Sequence, residues 1–286
     1  MYTTLITTAE LAAHLADPNL VVADVRHDLA TPETWGVARY REGHVPGARF
    51  AHIDRDLSAP KTGRNGRHPL PAPEAAAAFF GRLGIGGHTQ VVAYDQGSGM
   101  FAARLWWMLR WLGHDAVALL DGGFERWTRE GRPTSVDVPA PRPESFPVRA
   151  TLPTLGADEV ADALRERQLT LVDARAPERY RGDVEPIDPV AGHVPGALSR
   201  PFATNLAPEG TFKRPEVLRA EFAALLRDTP LERVVHYCGS GVTACHNLLA
   251  MEIAGLPGTR LYPGSWSEWV TDPARPVACG ADAGGA

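Results

Sequence analysis

The chain has 286 residues, 44% hydrophobic and 22% charged. That suffices for two domains of ordinary size, each with its own core, and excludes both a single small scaffold and disorder of the whole chain. With 29 Lys and Arg against 34 Asp and Glu the net charge is −5, so no basic surplus is available for a phosphate backbone and no nucleic-acid partner is expected.

At the N-terminus, residues 1–10 carry no basic segment ahead of an apolar stretch, so no signal peptide is expected. The predicted strands of the first half are 20–25, 90–94 and 116–120, with helices over 73–83 and 100–112. The last of these is the most apolar tract, but Arg104 and Arg110 interrupt it and it is too short to cross a bilayer. A proline-rich connector follows, with Pro133, Pro139, Pro141, Pro143, Pro147 and Pro153, which forbid a continuous helix. The second half has predicted strands 170–173, 233–237 and 259–262 and helices 215–227 and 242–254. Apolar strands without strict alternation, separated by helices, predict an α/β fold: two tandem domains, each a mainly parallel sheet with helices on both faces. The expected boundaries are 1–135, a linker 136–153, and 154–286.

The two halves are one unit written twice. Val22-Ala-Asp-Val-Arg26 and the Gly-His-Val-Pro-Gly-Ala segment at 43–48 return as Val172-Asp-Ala-Arg175 and the same six residues at 192–197. Val91-Val-Ala-Tyr94 matches Val234-Val-His-Tyr237, and Asp121-Gly-Gly-Phe-Glu-Arg-Trp127 matches Pro263-Gly-Ser-Trp-Ser-Glu-Trp269. His44 and His193 recur in both copies, which favours a structural role for them.

In parallel α/β sheets, ligands sit beyond the carboxyl ends of the strands. After Tyr237 comes Cys238-Gly-Ser-Gly-Val-Thr243, a glycine-bearing turn leading into a helix. Gly239 and Gly241 allow backbone N–H groups to face the sulfur, and Ser240 and Thr243 add hydroxyls. Favouring a thiolate a hundredfold takes about 2.7 kcal/mol. A helix N-terminus supplies about 0.3 to 1 kcal/mol and a hydrogen bond to a charged group about 1.5 to 3, so the loop N–H groups would have to supply most of it. Cys245, two helical turns further on, reads as core. Cys279 carries no signal. The odd count of three cysteines suits a reducing cytosol, so a cytoplasmic location with no membrane partner is expected. A metal site from His236, Cys238, Cys245 and His246 fits no usual zinc spacing.

Together these motifs resemble a tandem rhodanese-domain sulfurtransferase, and the Cys238 loop is most similar to the 3-mercaptopyruvate sulfurtransferase branch. The resemblance implies Cys238 as nucleophile and persulfide carrier, with Gly239, Gly241, Val242 and Thr243 shaping the donor site. It implies no cofactor and no metal. Asp95 stands where the second copy has Cys238, so the first copy is implied to be catalytically silent. Ser240, His68 and Asp54 match a proton relay of that branch, and Arg179 matches the arginine that holds the substrate carboxylate. The branch carries a second arginine after a nearby Glu-Pro, where this chain has Ile187, with Arg181 as the nearby alternative. Implied partners are a small-molecule sulfur donor, 3-mercaptopyruvate or thiosulfate, and an acceptor such as thioredoxin, a small thiol or cyanide. A cysteine phosphatase is disfavoured because Ala244 stands where its loop needs an arginine; a non-catalytic persulfide carrier stays open.

Overall fold

The computed structural model describes residues 1–140, 142–149 and 152–281. Pro141 of the connector and residues 282–286 of the expected second domain lie outside the described residues, as do 150 and 151. The chain forms two compact units. One comprises Met1–Ala59, Pro71–Leu152 and Pro208–Thr211; the other comprises Pro60–Leu70, Pro153–Ala207 and Phe212–Ala286.

The first unit is built on five parallel strands, β1 (Leu5–Ile6), β2 (Leu20–Asp24), β3 (Arg49–Phe50), β4 (Gln90–Tyr94) and β5 (Val117–Leu120), in the order β1-β5-β4-β2-β3. β4 is paired on both edges and almost wholly buried, which is why it reads as an unbroken apolar run. Against the sheet pack Trp127, Leu11 and Phe124, and helix Ala102–Trp111 buries Leu105, Trp106, Met108 and Leu109. Each such large apolar side chain, fully buried, contributes about 1.5 to 3 kcal/mol.

The second unit repeats this with β6 (Thr170–Asp173), β7 (Leu198–Ser199), β8 (Val234–Tyr237) and β9 (Arg260–Leu261), all parallel, in the order β7-β6-β8-β9. Its core holds Val160, Leu171, Val235, Tyr237, Tyr262, Trp266 and Trp269. The two-residue strands β1, β3 and β7 are absent from the sequence expectation, since two residues carry no readable periodicity. The predicted strand 259–262 shrinks to Arg260–Leu261, and the predicted helices each lose one or two residues at their ends.

The repeated motifs are fastenings. In the first unit Arg26 grips Asp24 through Nε (2.9 Å) and Nη2 (2.7 Å) and donates to the carbonyls of Arg39 and Gly43. Arg175 does the same with Asp173 and the Gly192 carbonyl. Tyr94 and Tyr237 each accept the N–H of the valine after the motif histidine, Val45 and Val194, at 3.2 Å. His44 Nδ1 bonds the Tyr40 carbonyl at 2.8 Å and stacks on that ring; His193 bonds and stacks on Tyr180 at 2.7 Å. A buried charge is costly unless paired and hydrogen-bonded, and each Asp–Arg pair meets that condition locally. Both histidines hold loop backbone.

The connector lies on the first unit. Phe146 packs on Phe80, and the N–H groups of Glu144, Arg149 and Leu152 bond the carbonyls of Gly81, Leu112 and Trp111. Among the described residues no helix is long and apolar enough to cross a membrane.

Candidate active site

β8 ends at Tyr237, and the chain turns through residues 238–242 into helix Thr243–Ile253, whose N-terminus faces the turn. Cys238 is 2% exposed. Its Sγ lies 3.5 Å from the Ser240 N–H. Gly241 has φ +75°, and a Cβ there would run into the Pro263 carbonyl, so only glycine fits. Val242 is buried, and Thr243 opens the helix, partly exposed. The Cys245 thiol donates to the Gly241 carbonyl at 3.3 Å, bracing the turn from the helix side.

The Pro263-Gly-Ser-Trp-Ser segment holds the turn from beneath. Trp266 and Ser267 N–H groups bond the Cys238 and Gly239 carbonyls at 3.0 and 2.9 Å. Ser265 adopts φ +55°, rarely tolerated outside glycine, and its hydroxyl accepts the Cys238 N–H and donates to the Tyr262 carbonyl. Those two bonds fix the strained residue where it anchors the Cys238 backbone.

Segment 60–70 brings two further side chains. Ser267 Oγ accepts the Arg67 N–H at 3.0 Å, which fixes the backbone there. The next residue, His68, is buried with Nδ1 2.7 Å from Ser240 Oγ. Ser240 thus turns its N–H to the sulfur and its hydroxyl to a histidine.

Arg179 lies on the short helix Pro177–Arg181, which starts with proline at its first position and ends at Gly182 with φ +80°. Its Nε and Nη2 bond Glu185 at 3.2 and 2.7 Å, and Nη2 also reaches Asp188 at 3.1 Å. Burial pushes the Glu185 carboxyl up, but the Arg179 guanidinium and the N–H groups of Asp188 and Ile187 outweigh it and hold it below the usual carboxylate range. Asp188, also buried, is paired with Arg67 as well. A Cβ built on Gly239 would come within 2.7 Å of Arg67 Nη2 and 3.4 Å of Arg179 Nη1, so both guanidinia overhang that glycine. Arg181 does not take this place; it pairs with Asp183 at 2.8 Å, exposed to solvent.

Of the residues singled out in the sequence, Cys238, Gly239, Ser240, Gly241, Val242, Thr243, His68 and Arg179 come together in the second unit. Asp54 belongs to the first unit, in the first turn of helix Ile53–Asp56, with its carboxylate 3.7 Å from His27 Nε2. Arg67, Asp188 and Ser265 escaped the sequence reading. Arg67 is flagged only by adjacency to His68 and Ser265 only by its place in the repeated segment 263–269, while nothing local marks Asp188.

His236, Cys238, Cys245 and His246 form no ligand cluster among the described residues; the one group with three ligand atoms mutually within 4.8 Å is His27, His52 and Asp54. His52 Nδ1 accepts the N–H groups of Asp54 and Arg55, so its proton sits on Nε2. That ring is set to donate a hydrogen bond, and the set does not fit a metal.

The family model described as "Rhodanese-like domain" matches residues 7–130 and again 156–272. The chain therefore belongs to the rhodanese-domain sulfurtransferases, in their tandem form. A protein of Pseudomonas aeruginosa named a probable 3-mercaptopyruvate sulfurtransferase is 50% identical over 279 residues, covering 96% of this chain and 98% of that protein. The thiosulfate sulfurtransferase of Mus musculus is 36% identical over 284 residues, 94% of this chain and 92% of that one. The crystal structure of the Escherichia coli 3-mercaptopyruvate sulfurtransferase SseA superposes with a TM-score of 0.79 at 33% identity, covering 93% of this chain and all of that one.

Proposed function

We propose that this sulfurtransferase takes its sulfur from 3-mercaptopyruvate, through a persulfide on Cys238, and hands it to a thiol such as thioredoxin or a small thiol, or to cyanide. The Cys238 thiolate attacks the donor sulfur and forms an S–S bond. The donor's carbon–sulfur bond breaks, and its electron pair leaves on pyruvate as an enolate, which takes up a proton. An acceptor thiolate then attacks the outer sulfur and frees Cys238. This is double displacement through a covalent intermediate, with no net oxidation.

The observation that carries the choice of donor is the 2.7 Å contact between His68 Nδ1 and Ser240 Oγ, in the loop of the nucleophile. A departing enolate needs a proton, and a positioned acid is worth about 10² to 10⁴ in rate. Thiosulfate would release sulfite, a stable anion that needs none. Asp54 is assigned the third place in the relay on the strength of the family resemblance. Arg179 supports the reading as the carboxylate anchor, since a planar guanidinium donates two parallel bonds. The first copy, with Asp95 in place of the cysteine, is assigned no transfer of its own. A cytoplasmic setting suits a catalytic free thiol.

The test is kcat/KM for 3-mercaptopyruvate and thiosulfate side by side, with mass spectrometry of the donor-treated protein. Preference for 3-mercaptopyruvate and a single added sulfur on Cys238 are expected. Preference for thiosulfate would replace the donor, and a label on Cys245 or Cys279 would replace the nucleophile.

A further inference from the structure

We infer that His27, braced by His52, is a positioning residue for Asp54: it keeps that carboxylate ionised and in one orientation for the proton relay. This rests on the relay reading above, in which Asp54 stands third, and adds to it a residue that the family resemblance does not name.

Duplication supplies the control. The sheet register Asp24–Phe50 returns as Asp173–Ser199, so the two copies align residue for residue through both segments. His27, His52 and Asp54 then correspond to Ala176, Pro201 and Ala203. Residues that hold the frame, such as the two Asp–Arg pairs and His44 and His193, are present in both copies. The second copy forms the same sheet edge, β7 on β6, without the trio, so the frame does not need it.

The trio is held from several sides. His27 follows Arg26, whose guanidinium grips Asp24, so its backbone is fixed at the end of β2. Its ring is buried and meets Phe101 edge-on, with centroids 5.0 Å apart, and His52 at 5.7 Å. These contacts set Nε2 3.7 Å from Asp54 Oδ2. His52, also buried, accepts the N–H groups of Asp54 and Arg55 on Nδ1 at 3.1 and 3.3 Å, which locks the turn that carries Asp54. One ring fixes the backbone of Asp54, and the other faces its carboxylate.

A relay requires both. The acid behind a catalytic histidine must be ionised and oriented, so that it selects one imidazole tautomer and stabilises the imidazolium. The Asp54 side chain is 12% exposed, so water supports its charge only in part. An imidazole edge beside it offsets that loss, with a full charge when His27 is protonated and with an N–H dipole in its Nε2–H form. The 3.7 Å separation is longer than a direct hydrogen bond, so the effect on rate is moderate.

The experiment is a double-mutant cycle in the full chain, with His27→Phe, Asp54→Asn and the pair assayed on 3-mercaptopyruvate with cyanide as acceptor. Phenylalanine keeps the ring contacts and lacks the nitrogen. His27→Phe should lower kcat about 10-fold with KM within about two-fold, and Asp54→Asn should lower kcat about 100-fold. Because His27 acts through Asp54, adding His27→Phe to Asp54→Asn should cost less than about two-fold more. His27→Gln, which returns a side-chain N–H, should recover part of the loss. An unchanged kcat in His27→Phe would overturn the inference, and so would a further loss of about 10-fold in the Asp54→Asn background, which is what a purely structural role gives. Full kcat in Asp54→Asn would overturn the relay reading itself, and this inference with it; a fall there with none in His27→Phe overturns the inference alone.

Discussion

In the first copy, the residue after the central strand is Asp95, and its carboxylate accepts the N–H groups of Gly97 (3.0 Å), Gly99 (2.9 Å), Phe101 (2.9 Å) and Ala102 (3.4 Å). In the second copy the same place holds Cys238, with the Ser240 N–H 3.5 Å from its sulfur. The support beneath is shared. Phe124 and Glu125 N–H groups bond the Asp95 and Gln96 carbonyls as Trp266 and Ser267 bond those of Cys238 and Gly239, and Gly123 and Ser265 share a positive φ. One architecture thus yields two outcomes: a cradle whose donors are engaged by its own carboxylate, and a cradle built around a cysteine sulfur. Duplication repeats the frame, and one side chain decides whether the N–H groups of the loop are engaged from within.

The sharpest way to break this contrast is to remove the sulfur. Cys238→Ser is expected to abolish transfer with every donor while leaving the thermal melt unchanged, because an alcohol forms no persulfide; residual turnover would place the chemistry elsewhere. His68→Ala comes next. Turnover of 3-mercaptopyruvate should fall about 100-fold while that of thiosulfate stays within a few-fold. Equal loss with both donors would mean that His68 serves the loop's structure and not a departing enolate.

Asp95→Ala tests the other side. Burial pushes the Asp95 carboxyl up, although four N–H groups pull against it. Removing it leaves those donors without their acceptor, at about 1 to 3 kcal/mol for each that water does not reach, so a loss of about 3 kcal/mol in urea unfolding is expected. Asp95→Asn, which keeps one acceptor oxygen, should lose about half as much. Sulfur transfer should be untouched in both variants; an unchanged unfolding midpoint in Asp95→Ala would show that the carboxylate does not brace the loop.

What could be read from residues alone follows range along the chain. The repeat, the Cys238 loop and its following helix are local and were legible, as was the structural character of His44 and His193 from their recurrence. Arg67 meets Asp188 across 121 positions, and His68 meets Ser240 across 172. Periodicity and turn chemistry act over a few residues and say nothing at that distance. Asp188 sits in an irregular stretch with no motif, and its buried role depends on two arginines from different segments. The resemblance supplied His68 as a candidate but gave no reason to look one residue earlier. From the sequence alone Asp95 is only a missing cysteine, whereas its four N–H partners show it as a filler of the cradle.

The smallest effect concerns the strand beneath the loop. Ala93 in the first copy corresponds to His236 in the second, set between Val172 and Leu261 in the sheet register. Both His236 ring nitrogens are buried without a hydrogen-bond partner among the described residues, and burial pushes its pKa down to about 3. Since the folded value lies below the unfolded 6.5, the unfolded chain binds the proton more readily. This contribution to stability is intact above about pH 6.5 and is lost as the pH falls toward 3, amounting to about 2 kcal/mol between pH 7 and pH 5. His236→Ala, which makes the strand match the first copy, should therefore unfold in urea with a shallower pH dependence over that interval. The variant's cost at pH 7 should be modest, because an unpaired buried imidazole already carries a penalty that offsets part of the cavity it leaves. Identical pH slopes for wild type and His236→Ala would show that the ring finds a proton acceptor or water inside the sheet, and that the two copies do not differ beneath their loops.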